Sequence, residues 1–357
     1  MANLGSKSTR GRYFGSIAGA VVIGLALGVC LGLGIVTTWS TLRVAAFVLA
    51  PTPTSTPTPT PLPTQTLSPT PTLTPTATRT PTPTLTPRPK ATTTPRAITP
   101  HFLFGRPLAL DAPAPEPAWV YLYGTTELGQ YEVHHGVDFD RNPIGVPVFA
   151  VGDGVIVSAG DDRQPLCGAQ GQTICGRSLN FYGLVVVIRL EQGYRNQTLY
   201  ALYGHMSRID VQPGQRVKRG DRIGAVGMTG IAIGPHIQFE MRSGANNYAS
   251  TRNPMLWIAP LPGRGVLAGR YTDSAGKPIE GAIVDIYRAE EPSKFYRETE
   301  TYRREDRAGV NADDEFGENW TMSDLPAGEY IVRVPGKQFA QRVSVPAGGL
   351  AFVEMAE

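Results

Sequence analysis

"VQPGQRVKRGDRIGAVGMTGIAIGPHIQFE", Val211–Glu240, decides how this chain is read. Glycines fall at every turn position of short apolar runs, and no helical period survives across them. The closing "HIQFEMR" alternates as a β-strand does, so His236, Gln238 and Glu240 share one face. The neighbouring runs follow the same pattern. "GVPVFAVGDGVIV" (Gly145–Val157) is two strands divided by Gly152 and Gly154, and "LVVVIRL" (Leu184–Leu190) is one nearly continuous apolar strand. "QTLYALYGHMS" is another, carrying His205. Residues 101–262 therefore read as an all-β sandwich or barrel.

Of the 5 histidines, four fall in or beside these β runs, at His134, His135, His205 and His236. In "HHGVD", His134 and Asp138 lie four apart and share a face if extended, whereas His135 points away. A histidine and a carboxylate converging from one strand make a zinc half-site or a structural hydrogen bond. His205 and His236 come from separate strands that can reach the same point.

These residues resemble the lysostaphin-type zinc metallopeptidases, which cut peptide cross-links in bacterial peptidoglycan. The resemblance runs over about residues 130–258: "HHGVD", then "GVPVFAVGDGVIV", "LYGHMS", and finally the quoted stretch through "GPHIQFE". It implies a lysostaphin-type β-sandwich or barrel-sandwich hybrid and the cofactor Zn2+. His134 and Asp138 stand where the family has two zinc ligands. His205 and His236 stand at its two histidines that activate water and stabilise the oxyanion. Gln238 stands where the family has its third ligand, a histidine. An amide oxygen is a poorer zinc donor than imidazole. The implied outcomes are a hydrolase that binds zinc weakly, or an inactive relative that binds wall peptide or regulates a separate cell-wall hydrolase. Glu240 belongs to the family's ordinary "HFE" and is not read as a replacement ligand.

Outward from this region the chain changes character. Residues 1–13 form a basic stub with Lys7, Arg10 and Arg12. An apolar run of roughly 20 residues follows, long enough to span a bilayer, within an expected membrane helix at 14–39. The basic side faces the cytoplasm, so the rest lies outside the cell membrane. A signal peptide cleaved after Ala50 is the alternative. Gly24, Gly28 and Gly32 suit close packing of two such helices, hence a homodimer. Residues 40–100 are a Thr-Pro stalk with too few large apolar groups to bury a core. Extended as polyproline II, it spans on the order of 150 Å.

Residues 263–357 form a second β unit, a small prealbumin-like sandwich. "GKPIEGAIVDIY" (Gly276–Tyr287) and "DLPAGEYIVRV" (Asp324–Val334) resemble carboxypeptidase-regulatory-like or Cna-B-like modules. The acidic "NADDEFGEN" (Asn311–Asn319) reads as a solvated loop rather than a calcium site, and the module as a spacer or adhesive. The net charge of +3, without a long basic run, excludes nucleic acid as a partner. Cys167 and Cys175 close a short loop, either as a disulfide in an oxidising compartment or as two free thiols.

Overall fold

The computed structural model describes residues 98–163, 178–303 and 310–357. All of these lie in one compact unit, Leu85–Glu357. The expected membrane helix, nearly all of the Thr-Pro stalk and the Cys167–Cys175 loop lie outside the described residues. Among the described residues no helix is long and apolar enough to cross a membrane.

The first half of this unit is built from β1 (Val137–Phe139), β2 (Pro147–Phe149), β3 (Gly154–Asp161), β4 (Leu184–Leu190), β5 (Leu199–Met206), β6 (Arg208–Ile209), β7 (Arg216–Val217), β8 (Arg222–Ala225), β9 (Ile237–Ser243) and β10 (Thr251–Arg252). A seven-stranded sheet runs β1-β9-β5-β4-β3-β7, with β10 also on β9, and a small sheet runs β2-β8-β6. The all-β expectation holds among the described residues, where only short 3-10 turns occur besides strands.

The large sheet is covered on both faces, which explains the nearly unbroken apolar run of β4. Val186 and Ile188 enter the main core with Ile237, Phe239 and Met241 of β9. Val185 and Val187 point the other way, into a small cluster with Tyr182 and Leu202. Gln238, Glu240 and Arg242 occupy that second face by the same period-2 rule. Glu240 and Arg242 are fully buried there and neutralise each other at 2.7 Å. The Tyr182 hydroxyl also donates to Glu240, and Arg242 donates to the Tyr182 oxygen at 2.9 Å.

The second half comprises β11 (Arg264–Thr272), β12 (Ile283–Arg288), β13 (Phe295–Glu300), β14 (Trp320–Pro326), β15 (Gly328–Arg333), β16 (Ala340–Val345) and β17 (Leu350–Ala356). They form a three-stranded sheet, β14-β11-β17, and a four-stranded sheet, β13-β12-β15-β16. The alternation of "GAIVDIY" places Val284 and Ile286 in the core. One continuous apolar cluster runs from Phe104 and Val137 through Trp257 to Val266, Trp320 and Val353, so the halves share a core. A buried ion pair crosses the same junction, with Arg106 Nη2 at 2.9 Å from Asp324 Oδ2.

The acidic loop corrects the sequence reading in part, for Asp314 is exposed but two other carboxylates are not. Asp313 and Glu318 are buried. His101 Nε2 meets both Asp313 oxygens at 3.1 Å, its ring stacked on Phe316 with centroids 4.5 Å apart. Glu318 accepts from the Asp313 N–H and the Tyr302 hydroxyl. Burial, with the Asp313 charge beside it, pushes the Glu318 carboxyl up to about 8. A carboxyl that holds its proton more tightly folded than unfolded stabilises fully below its unfolded value, about 4.3. That contribution fades as pH rises toward 8. Wild type is therefore expected to lose melting temperature between pH 5 and pH 8. Glu318→Gln, which needs no proton, should flatten that slope by at least about 3 °C; equal slopes in calorimetry would reject this account.

Candidate metal and catalytic site

The pocket lies on the second face of the large sheet, where β1, β9 and β5 run side by side. Asp138 on β1 is directly opposite Gln238 on β9, and Gln238 is opposite Gly204 on β5, one residue before His205. His134 precedes β1, and His236 bridges to Gly227 just before β9 begins. His134 Nε2 stands 2.8 Å from Gln238 Oε1 and 3.3 Å from Asp138 Oδ1. His236 Nε2 is 3.6 Å from that same carboxylate oxygen, and the His205 and His236 rings meet edge to face with centroids 4.7 Å apart. All five sequence-expected residues therefore meet at one place. His135 does not; its ring turns away and stacks on Tyr248 at 3.8 Å.

Each of the three histidines is anchored through Nδ1 on a backbone carbonyl. His134 reaches Tyr121 O at 2.9 Å, His205 reaches Thr229 O at 2.8 Å, and His236 reaches Gly234 O at 2.9 Å. A carbonyl only accepts, so Nδ1 carries the proton and each Nε2 lone pair faces the pocket. Tyr121 also stacks on His134, with planes 7° apart and centroids separated by 4.1 Å. His205 adopts a left-handed backbone, φ +61°, a conformation costing of order 1 kcal/mol or more that concentrates at functional sites.

The electrostatics follow from burial and these neighbours. Burial would raise the Asp138 carboxyl, but His134 and His236 outweigh it and hold the group down at about 2. Asp138 is therefore ionised. Burial pulls the His205 imidazole down, His236 adds to this, and the ring sits at about 4, neutral at pH 7. Burial opposes charge on His134 too, yet the adjacent Asp138 carboxylate prevails and raises it.

A divalent cation fits this donor set. Asp138 Oδ1 is buried without a hydrogen-bond partner, and it faces the unprotonated edges of two imidazoles. His134 Nε2 and Gln238 Oε1 are both acceptors once Nδ1 holds the ring proton, and at 2.8 Å they need a cation or proton between them. Tetrahedral zinc ligands at about 2.0–2.1 Å lie roughly 3.3 Å apart, matching the His134–Asp138 spacing. Among the described residues no group of three or more His, Cys, Asp or Glu side chains is arranged to hold a metal ion. The remaining oxygen beside His134 and Asp138 is that of the Gln238 amide.

The amide is steered. Its Nε2 faces Glu240 Oε1 at 3.5 Å, which leaves Oε1 aimed at the pocket. Glycine at 136 makes room: a Cβ there would stand 2.5 Å from Gln238 Nε2 and 2.6 Å from Phe239 O. Tyr121 and Thr229 were not anticipated from sequence. Their contribution is mainly a carbonyl, which every residue has, so residue type carries no signal for it.

Residues 132–250 match the model of peptidase family M23. Over 108 residues the chain is 37% identical to the peptidoglycan DD-endopeptidase ShyA of Vibrio cholerae, covering 30% of this chain and 20% of that relative. It is 35% identical over 139 residues to the glycyl-glycine endopeptidase ALE-1 of Staphylococcus capitis, covering 39% of this chain and 33% of the relative. Among solved structures, the catalytic domain of the antimicrobial peptidase lysostaphin from Staphylococcus simulans matches with 29% identity and a TM-score of 0.30. That match covers 38% of this chain and 86% of the other. The chain thus spans a minor part of the curated relatives it matches.

Proposed function

We propose that this chain is a peptidoglycan metalloendopeptidase, held at the outer side of the cell membrane by residues 14–39 and extended on its Thr-Pro stalk. The observation that carries the reading is the convergence of His134 Nε2, Gln238 Oε1 and the orphaned Asp138 Oδ1 within 2.8–3.6 Å of one another or of His236. These three side chains would hold Zn2+, which would supply Lewis acidity at the site. His205, neutral at pH 7, accepts a proton at Nε2 from the attacking water. His236, its ring against His205, stabilises the negative charge that develops on the carbonyl oxygen. Tyr121 holds the His134 ring in plane and in the correct tautomer.

The Gln238 amide favours a second reading, in which the pocket binds wall peptide without cutting it and serves a separate cell-wall hydrolase. One experiment separates the two. The zinc-supplemented full chain is incubated with purified sacculi, with and without a chelator. Release of soluble peptide fragments that the chelator abolishes supports the hydrolase. Co-sedimentation with sacculi and no release supports the binder, and neither outcome would reject both.

A further inference from the structure

We infer that the C-terminal β unit is part of the M23 site: Glu300 is a positioning residue that holds the 121–134 loop so that His134 faces the metal position. The inference rests on the proposed function in its zinc and catalytic readouts, whereas amide exchange tests the loop contact by itself. The loop between Leu122 and His134 has no strand of its own. It folds back beside His134 through two backbone bonds, Gly124 N–H to His134 O at 2.8 Å and His134 N–H to Thr125 O at 3.0 Å. Its turn is unfavourable, since Glu127 and Leu128 are consecutive left-handed residues, φ +48° and +58°, and neither is glycine. Such a pair is strained and persists only where surrounding contacts impose it.

The C-terminal unit supplies those contacts. Glu300, at the end of β13, is 2% exposed. Its Oε2 accepts from the Thr126 N–H at 2.7 Å and the Leu128 N–H at 3.1 Å, and the Thr126 hydroxyl bonds the same carboxylate. These donors outweigh burial and keep the carboxyl below its ordinary range. Two residues on, the Tyr302 ring covers Gly124, where a Cβ would lie 2.3 Å from the ring. The Arg303 N–H then donates to Gly124 O at 2.9 Å. From Glu300 to the site the path is short: carboxylate to the 126–128 turn, turn to the Thr125 carbonyl, carbonyl to the His134 amide. A spacer module would have no physical reason to spend a buried carboxylate on its neighbour's loop.

The test is Glu300→Ala in the full chain, which removes the acceptor of both backbone donors. Amide exchange in peptides spanning 121–134 is expected to rise about tenfold or more, with the rest of the described unit unchanged. The zinc dissociation constant should weaken by roughly 10–100-fold, as for other groups that orient a ligand. Wall hydrolysis should fall through kcat with KM unchanged. Thr126→Val, which removes the hydroxyl donor to Glu300 and the acceptor of the Gly129 N–H, gives a smaller change of the same pattern if the first variant fails to fold. Glu354→Gln, on an exposed pair with Arg270, should alter nothing. Unchanged exchange in 121–134 overturns the inference, as does faster exchange spread through the whole unit. So does a loosened loop with an unchanged zinc constant. A wild-type chain that cuts no wall peptide would instead fail the proposed function and leave the exchange readout to decide here.

Discussion

His134→Ala is expected to abolish zinc binding and wall hydrolysis together. The His134 Nε2 atom faces both other donor atoms, and its ring is locked from behind by Tyr121 through stacking and a carbonyl. A structural zinc site binds with about 10–16 kcal/mol shared over four ligands, or roughly 3 kcal/mol for each. Losing one should weaken binding by about 100–1,000-fold at 1.4 kcal/mol per decade. The starting site already carries a weak third donor, so zinc should fall below detectable stoichiometry in a dialysed sample. Metal quantification by mass spectrometry checks this. Full zinc occupancy in the variant would mean that the ion sits elsewhere.

The opposite change should strengthen the site. Gln238→His replaces an amide oxygen with an imidazole nitrogen at the position facing Asp138 across β1 and β9. The local structure can receive a ring. Gly136 and Gly204 flank residue 238 without side chains, and Glu240 Oε1 lies where it can accept the ring N–H. Such a carboxylate behind a ligating histidine fixes its tautomer and raises its basicity. Zinc affinity is expected to rise by roughly 10–100-fold, and the rate of fragment release from sacculi to rise with it at limiting zinc. Competition with a chromophoric chelator measures the first and sacculus digestion the second. If affinity is unchanged, the amide is not a ligand. If affinity rises and release does not, the chain binds wall peptide without cutting it.

Much of this is legible in the sequence, for reasons that differ by residue. The parity of "HIQFEMR" put His236, Gln238 and Glu240 on one face, because a period of two leaves no other choice once the segment is extended. The continuous apolar run of β4 signalled a strand covered on both faces, as Val186 and Val187 show. The anchoring of the three imidazoles was not legible, since its acceptors are carbonyls of Tyr121, Thr229 and Gly234. Nor was the burial of "NADDEFGEN", read as solvated from its charge. His101, some 212 residues away in the chain, hydrogen-bonds Asp313, and burial raises the Glu318 carboxyl. The Glu300 contact with Thr126 spans 174 residues between two units that local pattern treats as separate. Long-range pairing of single polar groups leaves no periodic trace, whereas strand faces do.

The central claim is that the pocket offers a metal one imidazole nitrogen and two oxygens. X-ray absorption at the zinc edge of the zinc-loaded full chain counts histidine ligands through their ring scattering. The account predicts one histidine with oxygen neighbours near 2.0–2.2 Å in the wild type, and two histidines in Gln238→His. Two histidines already in the wild-type spectrum would place His205 or His236 on the metal and contradict it.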